Sequence, residues 1–332
     1  MNTIEINPTT QYLYTLFLWS ASDCSPNRDG GTGAIRTDMQ RRVFITQESF
    51  NQNVKNGLFF SANGIEPGTE PVDGAVLMGC KNEFFGARTL RQALESVRDQ
   101  IAEKVKSEPD AKSEPDAITG EDLFCHCFDI PVFGYVNSNG LEKHQAFPHN
   151  LPGSAGLIYL PKTVTQVEIE NRGISNAFSQ PNTDGSPKGM PGSHFTDYLV
   201  EGVFVTLGIF NVKQLRIIAR EKFGMTDDDR INARIAQLYN LYLLGIWEGY
   251  KLLGYVSTMR KGQQPLALYS NACETLPDFI ENPADLLMDS EKHRLPLHES
   301  IDTTLDSLRP KLSDWAQIFP SDFQKVAGRD LF

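Results

Sequence analysis

The 332-residue chain contains only five cysteines, and no two of them form a CxxC pair. So sparse and odd-numbered a set does not make a disulfide framework, and it suits a reduced, cytoplasmic setting. Residues 1–27 contain no Lys or Arg, so the positively charged start of a secretory signal is missing. Long apolar runs are missing too. Residues 12–19 and the uncharged run 235–247, which carries Gln237 and Asn240, are both too short to span a bilayer, so no membrane partner is expected. No GxSxG, HExxH or Walker loop occurs, which removes the commonest hydrolase, metalloprotease and nucleotide-binding signatures. With 40% apolar and 22% charged residues, the chain is neither disordered nor a stapled miniprotein, and its length suits one large domain or two ordinary ones.

Basic charge is in deficit, but unevenly. The net charge is −11; residues 61–122 hold 13 acids against 7 bases, and residues 271–332 hold 12 against 6. Segments 1–60 and 123–270 together hold 17 acids and 18 bases, which leaves room for a locally basic surface.

Residues 12–19 (YLYTLFLW) are apolar on both alternating faces, the mark of a strand buried in the middle of a sheet. A turn-rich loop follows over 20–33, then a short helix with Thr46 as N-cap, Phe50 and Val54 as an i, i+4 apolar pair, and Gly57 as its stop. Residues 61–80 read as loop. Residues 88–106 form the cleanest amphipathic helix, with Leu90, Leu94, Val97, Ile101 and Val105 at helical spacing. It runs into a tandem KSEPDA hexapeptide over 106–117, read as a flexible linker produced by duplication. Strands are expected within 122–136 (interrupted by Pro131), 155–169 and 198–210, with a long polar loop over 171–192. Thr226 caps a helix whose first turn is Asp227, Asp228 and Asp229, acids that suit the positive end of the helix dipole. Its buried stripe is Ile231, Ile235, Leu238, Tyr242 and Ile246. Residues 265–269 read as a last strand, and the tail beyond 271 as acidic, Pro-punctuated and helical in pieces. Strands early, middle and late with helices between them indicate an α+β fold with insertions rather than regular doubly wound alternation.

Few residues stand out chemically. Cys125, His126 and Cys127 suggest zinc, but along a strand the two thiols would share one face and the imidazole would take the other. Ordinary buried small residues are the better reading, and no metal or cofactor is assigned. Asp29 is placed as a catalytic carboxylate would be, on a loop after a strand, though a turn-forming Asp is the simpler account. Phe17 and Trp19 share a face of the first strand; they are read as core rather than as base-stacking groups. The basic residues are more telling. Arg28, Arg36, Arg41 and Arg42 lie in one loop-to-helix stretch, Arg172 and Lys188 in the long polar loop, and Arg260, Lys261, Gln263 and Gln264 just before Pro265. Recognition of a nucleic-acid backbone needs such donors.

Four segments, in order, resemble one family: TLFLWSASDCSPNRDGG followed by RRVFITQESFNQNVKNGLF; CFDIPVFGYVNSNG; GMPGSHFTDYLVEGVFVTLGIFNVKQL; and GYVSTMRKGQQPLALY. The family is the repeated backbone subunit of type I CRISPR surveillance (Cascade) complexes, the "Cas seven" family of RAMP proteins. The matches cover roughly half the chain, and 61–122 and the tail beyond 271 match nothing in it.

The resemblance implies an RRM-like (ferredoxin-like) palm built from 1–60 and 123–270, with a helical part at about 211–254 and a thumb loop at about 171–192. It sets 61–122 apart as an acidic helical insertion and 271–332 as an acidic C-terminal extension. It implies a non-enzymatic subunit that oligomerises along CRISPR guide RNA, with further copies of itself and other Cascade subunits as partners, and presents the guide to target DNA. Arg28, Arg36, Arg41 and Arg42 would then contact guide phosphates near the palm, and Arg260, Lys261, Gln263 and Gln264 would do so from the opposite side of the groove. Arg172, Phe178, Lys188 and Met190 would lie in or beside the thumb, where an apolar residue wedges between bases. A subunit that accepts any guide should read phosphate, sugar and stacking and leave sequence to base pairing. The alternative is a metal-dependent RNA endonuclease of the type III backbone kind, with Asp29 or Asp23 as the loop carboxylate.

Overall fold

The structure, a computed structural model, describes residues 1–24, 35–39, 42–62, 120–126, 128–133, 135–136, 150–151, 156–158, 162–163, 168–175, 194–256, 262–278, 280–287 and 300–332. The amphipathic stretch 88–106, the KSEPDA repeat, Arg28, Asp29, Arg41, Phe178, Lys188, Met190, Arg260 and Lys261 lie outside them.

The fold is α+β. Its main sheet is antiparallel and centred on β1 (Tyr12–Cys24), which pairs with β7 (His194–Asn211) on one side and β8 (Gln264–Cys273) on the other. Three short strands share the far edge of β7: β4 (Gly156–Ile158), β5 (Lys162–Thr163) and β6 (Glu168–Ser175). The opposite edge is β9 (Gln324–Gly328), paired with β8. A separate pair joins β2 (Tyr135–Val136) to β3 (Asn150–Leu151). The strand expected at 12–19 is therefore central and longer than expected. The strand expected at 265–269 is not the last, because β9 follows it from within the tail.

Both faces of β1 are buried, because its residues alternate between two cores. Leu13, Phe17 and Trp19 enter one core, and Tyr14, Leu16 and Leu18 the other. The first is covered by α1 (Gln47–Ala62), α4 (Val212–Glu221) and α5 (Asp228–Val256). Phe50 and Val54 of α1 and the whole Ile231, Ile235, Leu238, Tyr242 and Ile246 stripe of α5 are buried in it. The second is covered by α7 (Ile301–Ala316) through Leu305, Leu308, Leu312 and Trp315, with Ala284 from the short α6 (Pro283–Leu286). The tail is thus part of the globule.

Polar groups peg α5 to the sheet. The Tyr239 hydroxyl lies 3.0 Å from Thr15 Oγ1 and 2.7 Å from Ser270 Oγ, and burial pushes its pKa up to about 12.

Three local expectations are corrected. Gly57 does not stop α1; it sits within the helix where α1 crosses α5 with backbones in contact. A Cβ there would strike the backbone of Gly245 and Gly249, and one at Gly245 would lie 2.7 Å from the Val54 carbonyl. Residues 122–136 are mainly helical rather than strand: α2 (Gly120–His126) and α3 (Asp129–Phe133) precede β2. Short apolar runs do not distinguish a buried helix from a strand, and here Phe124, Phe128 and Val132 recur at helical spacing into the core. Finally, α5 begins at Asp228. Asp227, not Thr226, is its cap, accepting from the backbone N–H groups of Asp229 and Arg230 at 3.0 and 3.1 Å.

Candidate nucleic-acid interface

Helices cover both faces of β1 and of the strands paired with it over Val200–Asn211 and Gln264–Cys273, so among the described residues this central part of the sheet offers no stacking platform. Phe17 and Trp19 are fully buried, and Trp19 stacks on Phe204 with ring centroids 3.9 Å apart, as expected of core residues. Strand ends and turns remain open around it, and two such places carry residues singled out in the sequence.

The first is the end of the sheet where β1 finishes and β8 begins. Ser20 stands opposite Gln264, and the Ser22 N–H donates to the Gly262 carbonyl at 3.1 Å. Gly262 has φ +96°, and a Cβ there would collide with the Ser22 carbonyl, so only glycine closes the turn. The described residues that flank the Arg28 segment and those that flank Arg260 and Lys261 are therefore hydrogen-bonded neighbours despite their distance in sequence. Gln264 is exposed at this end. Gln263 is only 4% exposed, and its side-chain Nε2 has no hydrogen-bond partner. An unmade bond on a buried amide costs about 1–3 kcal/mol. That end of the sheet holds a donor in reserve.

The second is the turn that leads into α1. Thr37 pairs with Val43, the Asp38 N–H donates to the Arg42 carbonyl at 3.0 Å, and the Phe44 N–H donates to that of Arg36 at 3.3 Å. Arg36 is exposed here. Arg42, expected to touch phosphate, is instead 3% exposed. Its guanidinium meets Asp38 Oδ2 and Asp285 Oδ1 at 2.7 Å each and donates to the Ala284 carbonyl at 3.1 Å. Arg42 is a staple between this turn and α6. The i, i+4 spacing of Asp38 and Arg42 was open to view in the sequence, but Asp285 lies too far along the chain for any local signal.

The remaining candidates are dispersed. Arg172 lies in β6 opposite Asp197, so residues 171–175, read as the start of the polar loop, are strand. Cys125 and His126 lie on α2, with Cys125 Sγ 3.5 Å from Arg230 Nη2. Among the described residues no group of three or more His, Cys, Asp or Glu side chains is placed to hold a metal, and no helix is long and apolar enough to cross a membrane.

No known family's sequence profile matches this chain, and no curated protein matches it. Solved structures do. The chain is similar to one described as a CRISPR RNA-guided surveillance complex, pre-nicking, with a TM-score of 0.51 at 14% identity over 97% of this chain and 94% of that one. A second, described as a CRISPR RNA-guided surveillance complex, aligns over 96% of this chain and 91% of the other at 12% identity, with a TM-score of 0.48. The chain therefore shares the fold of a CRISPR surveillance-complex chain along nearly its whole length.

Proposed function

We propose that this protein is a non-catalytic guide-RNA-binding subunit of a type I CRISPR surveillance complex, one whose copies repeat along the RNA as a backbone and hold it for pairing with target DNA. Its sheet, on this reading, is the RRM-like palm of that family. The observation that carries the proposal is the hydrogen-bonded meeting of Ser22 and Gly262, flanked in sequence by the two basic segments and accompanied by the unpartnered buried donor of Gln263. The whole-length likeness to a surveillance-complex chain supports the same reading.

The contact set is Arg28, Arg36, Arg41, Arg260, Lys261, Gln263 and Gln264, with Arg172, Phe178, Lys188 and Met190 assigned to the thumb side. Arg42 is left out, because its donors are committed within the chain. Contacts of this kind are to phosphate and sugar, so binding should be independent of guide sequence and steeply salt-dependent. The test is an Arg28→Glu, Lys261→Glu double variant, assembled with a CRISPR array and partner subunits. Loss of guide RNA from a folded protein is the expected result. Wild-type RNA occupancy in the double variant would overturn the assignment of this end of the sheet.

A further inference from the structure

Beside the contact made by Arg42, the described residues include one large apolar side chain that the fold itself does not bury. Met39, next to Asp38, is 94% exposed, the most exposed large apolar residue described. Its neighbour Asp38 is held by the backbone N–H and Nε of Arg42 at 2.9 and 2.8 Å, and Arg42 is in turn fastened to α6. A buried arginine bonded through all three guanidinium nitrogens thus anchors the residue beside the exposed methionine.

We infer that Met39 is an RNA contact, packing its thioether on a base or ribose of the bound strand. The inference rests on the RNA-binding reading above and adds a residue to it. Charge favours RNA as the occupant. Arg36, three positions before it, is exposed, Arg41 follows two positions on in the sequence, and Arg42 is shared by Asp38 and Asp285, which leaves the arginines in excess. Size favours it too. A lone side chain on a short turn falls far short of the roughly 800 Å² per partner of a specific protein interface, but it matches the face of one base. Methionine suits that role, since its flexible, polarisable sulfur packs well on aromatic rings of any kind, and a guide-holding protein must accept every base.

The experiment places a photo-reactive diazirine analogue of methionine at position 39 of the full chain, assembled with guide RNA, and irradiates the purified ribonucleoprotein. A crosslink to RNA is the expected result. In parallel, Met39→Ala should weaken RNA binding about tenfold, with Met39→Leu restoring it. Because the side chain is exposed, neither change should alter the thermal midpoint. RNA present at normal occupancy with crosslinks only to another protein chain, or with none, overturns the contact and leaves the RNA-binding reading intact. An assembly that contains no RNA overturns both.

Discussion

The two faces of the central sheet are covered in different ways. On one, α1 and α5 meet backbone to backbone at Gly57, Gly245 and Gly249, above an aromatic layer in which Phe17, Trp19, Phe50 and Tyr250 touch one another. On the other, the cover comes from the acidic tail: Trp315, Phe319 and Phe323 form an aromatic cluster against Tyr14, and β9 extends the sheet. The first face depends on close approach of two helices, the second on large side chains contributed from far along the sequence. With both faces of the central strands closed, the Ser22–Gly262 end of the sheet and the turn before α1 are the described places left open to a partner.

This contrast can be broken from either side. The largest effect should come from the tail. Trp315→Ala removes the centre of the second cover and should cost about 3–5 kcal/mol, read by chemical denaturation. Retention of full stability would mean that the tail is an appendage. Next is Arg42→Ala, which strands Asp38 and Asp285. Because Asp285 is itself partly exposed, the cost should be about 2–3 kcal/mol, below that of a fully buried pair. Gly57→Ala should cost about 1–3 kcal/mol through forced separation of α1 from α5, whereas Gly→Ala in an ordinary helix stabilises.

A titration sharpens the comparison from the first face. Tyr239 has a folded pKa of about 12 against an ordinary value of 10, so the neutral form is favoured by folding. Its contribution is fully present below pH 10 and is lost as pH rises from 10 towards 12, at about 1.4 kcal/mol per pH unit. Burial raises Tyr242 still further and adds to the same slope. Tyr239→Phe should flatten the alkaline limb of the stability–pH curve while costing about 1 kcal/mol at neutral pH. The smallest effect is expected at the exposed Arg309–Asp306 pair, where Arg309→Ala should change stability by less than about 0.5 kcal/mol.

The first face was far more legible in the sequence than the second. The double-sided apolar run 12–19, the Phe50 and Val54 pair and the Ile231 to Ile246 stripe are local periodicities, and each is buried as its pattern requires. The second cover is only partly marked: Leu305, Leu308, Leu312 and Trp315 recur at helical spacing, but nothing local says that they close the sheet's other face. β9 is five residues long and pairs with β8 from Ser270↔Gln324 to Ala267↔Gly328, far beyond any local pattern, so nothing local marks it as a strand. Gly57 misled for a related reason, because a glycine that lets two helices touch looks, in one dimension, like a glycine that ends one. Arg42 shows the same limit at the candidate site. Its charge advertised a surface contact, and only the folded position of Asp285 and Ala284 turns it inward.

The central claim is that this chain holds guide RNA. The most direct measurement is to express it with and without a CRISPR array and its partner subunits, purify the assembly, and sequence whatever RNA comes with it. The account predicts guide-length RNA derived from the array, in long assemblies that appear only when the array is present. A nucleic-acid-free monomer from cells that supply both the array and the partners would contradict it.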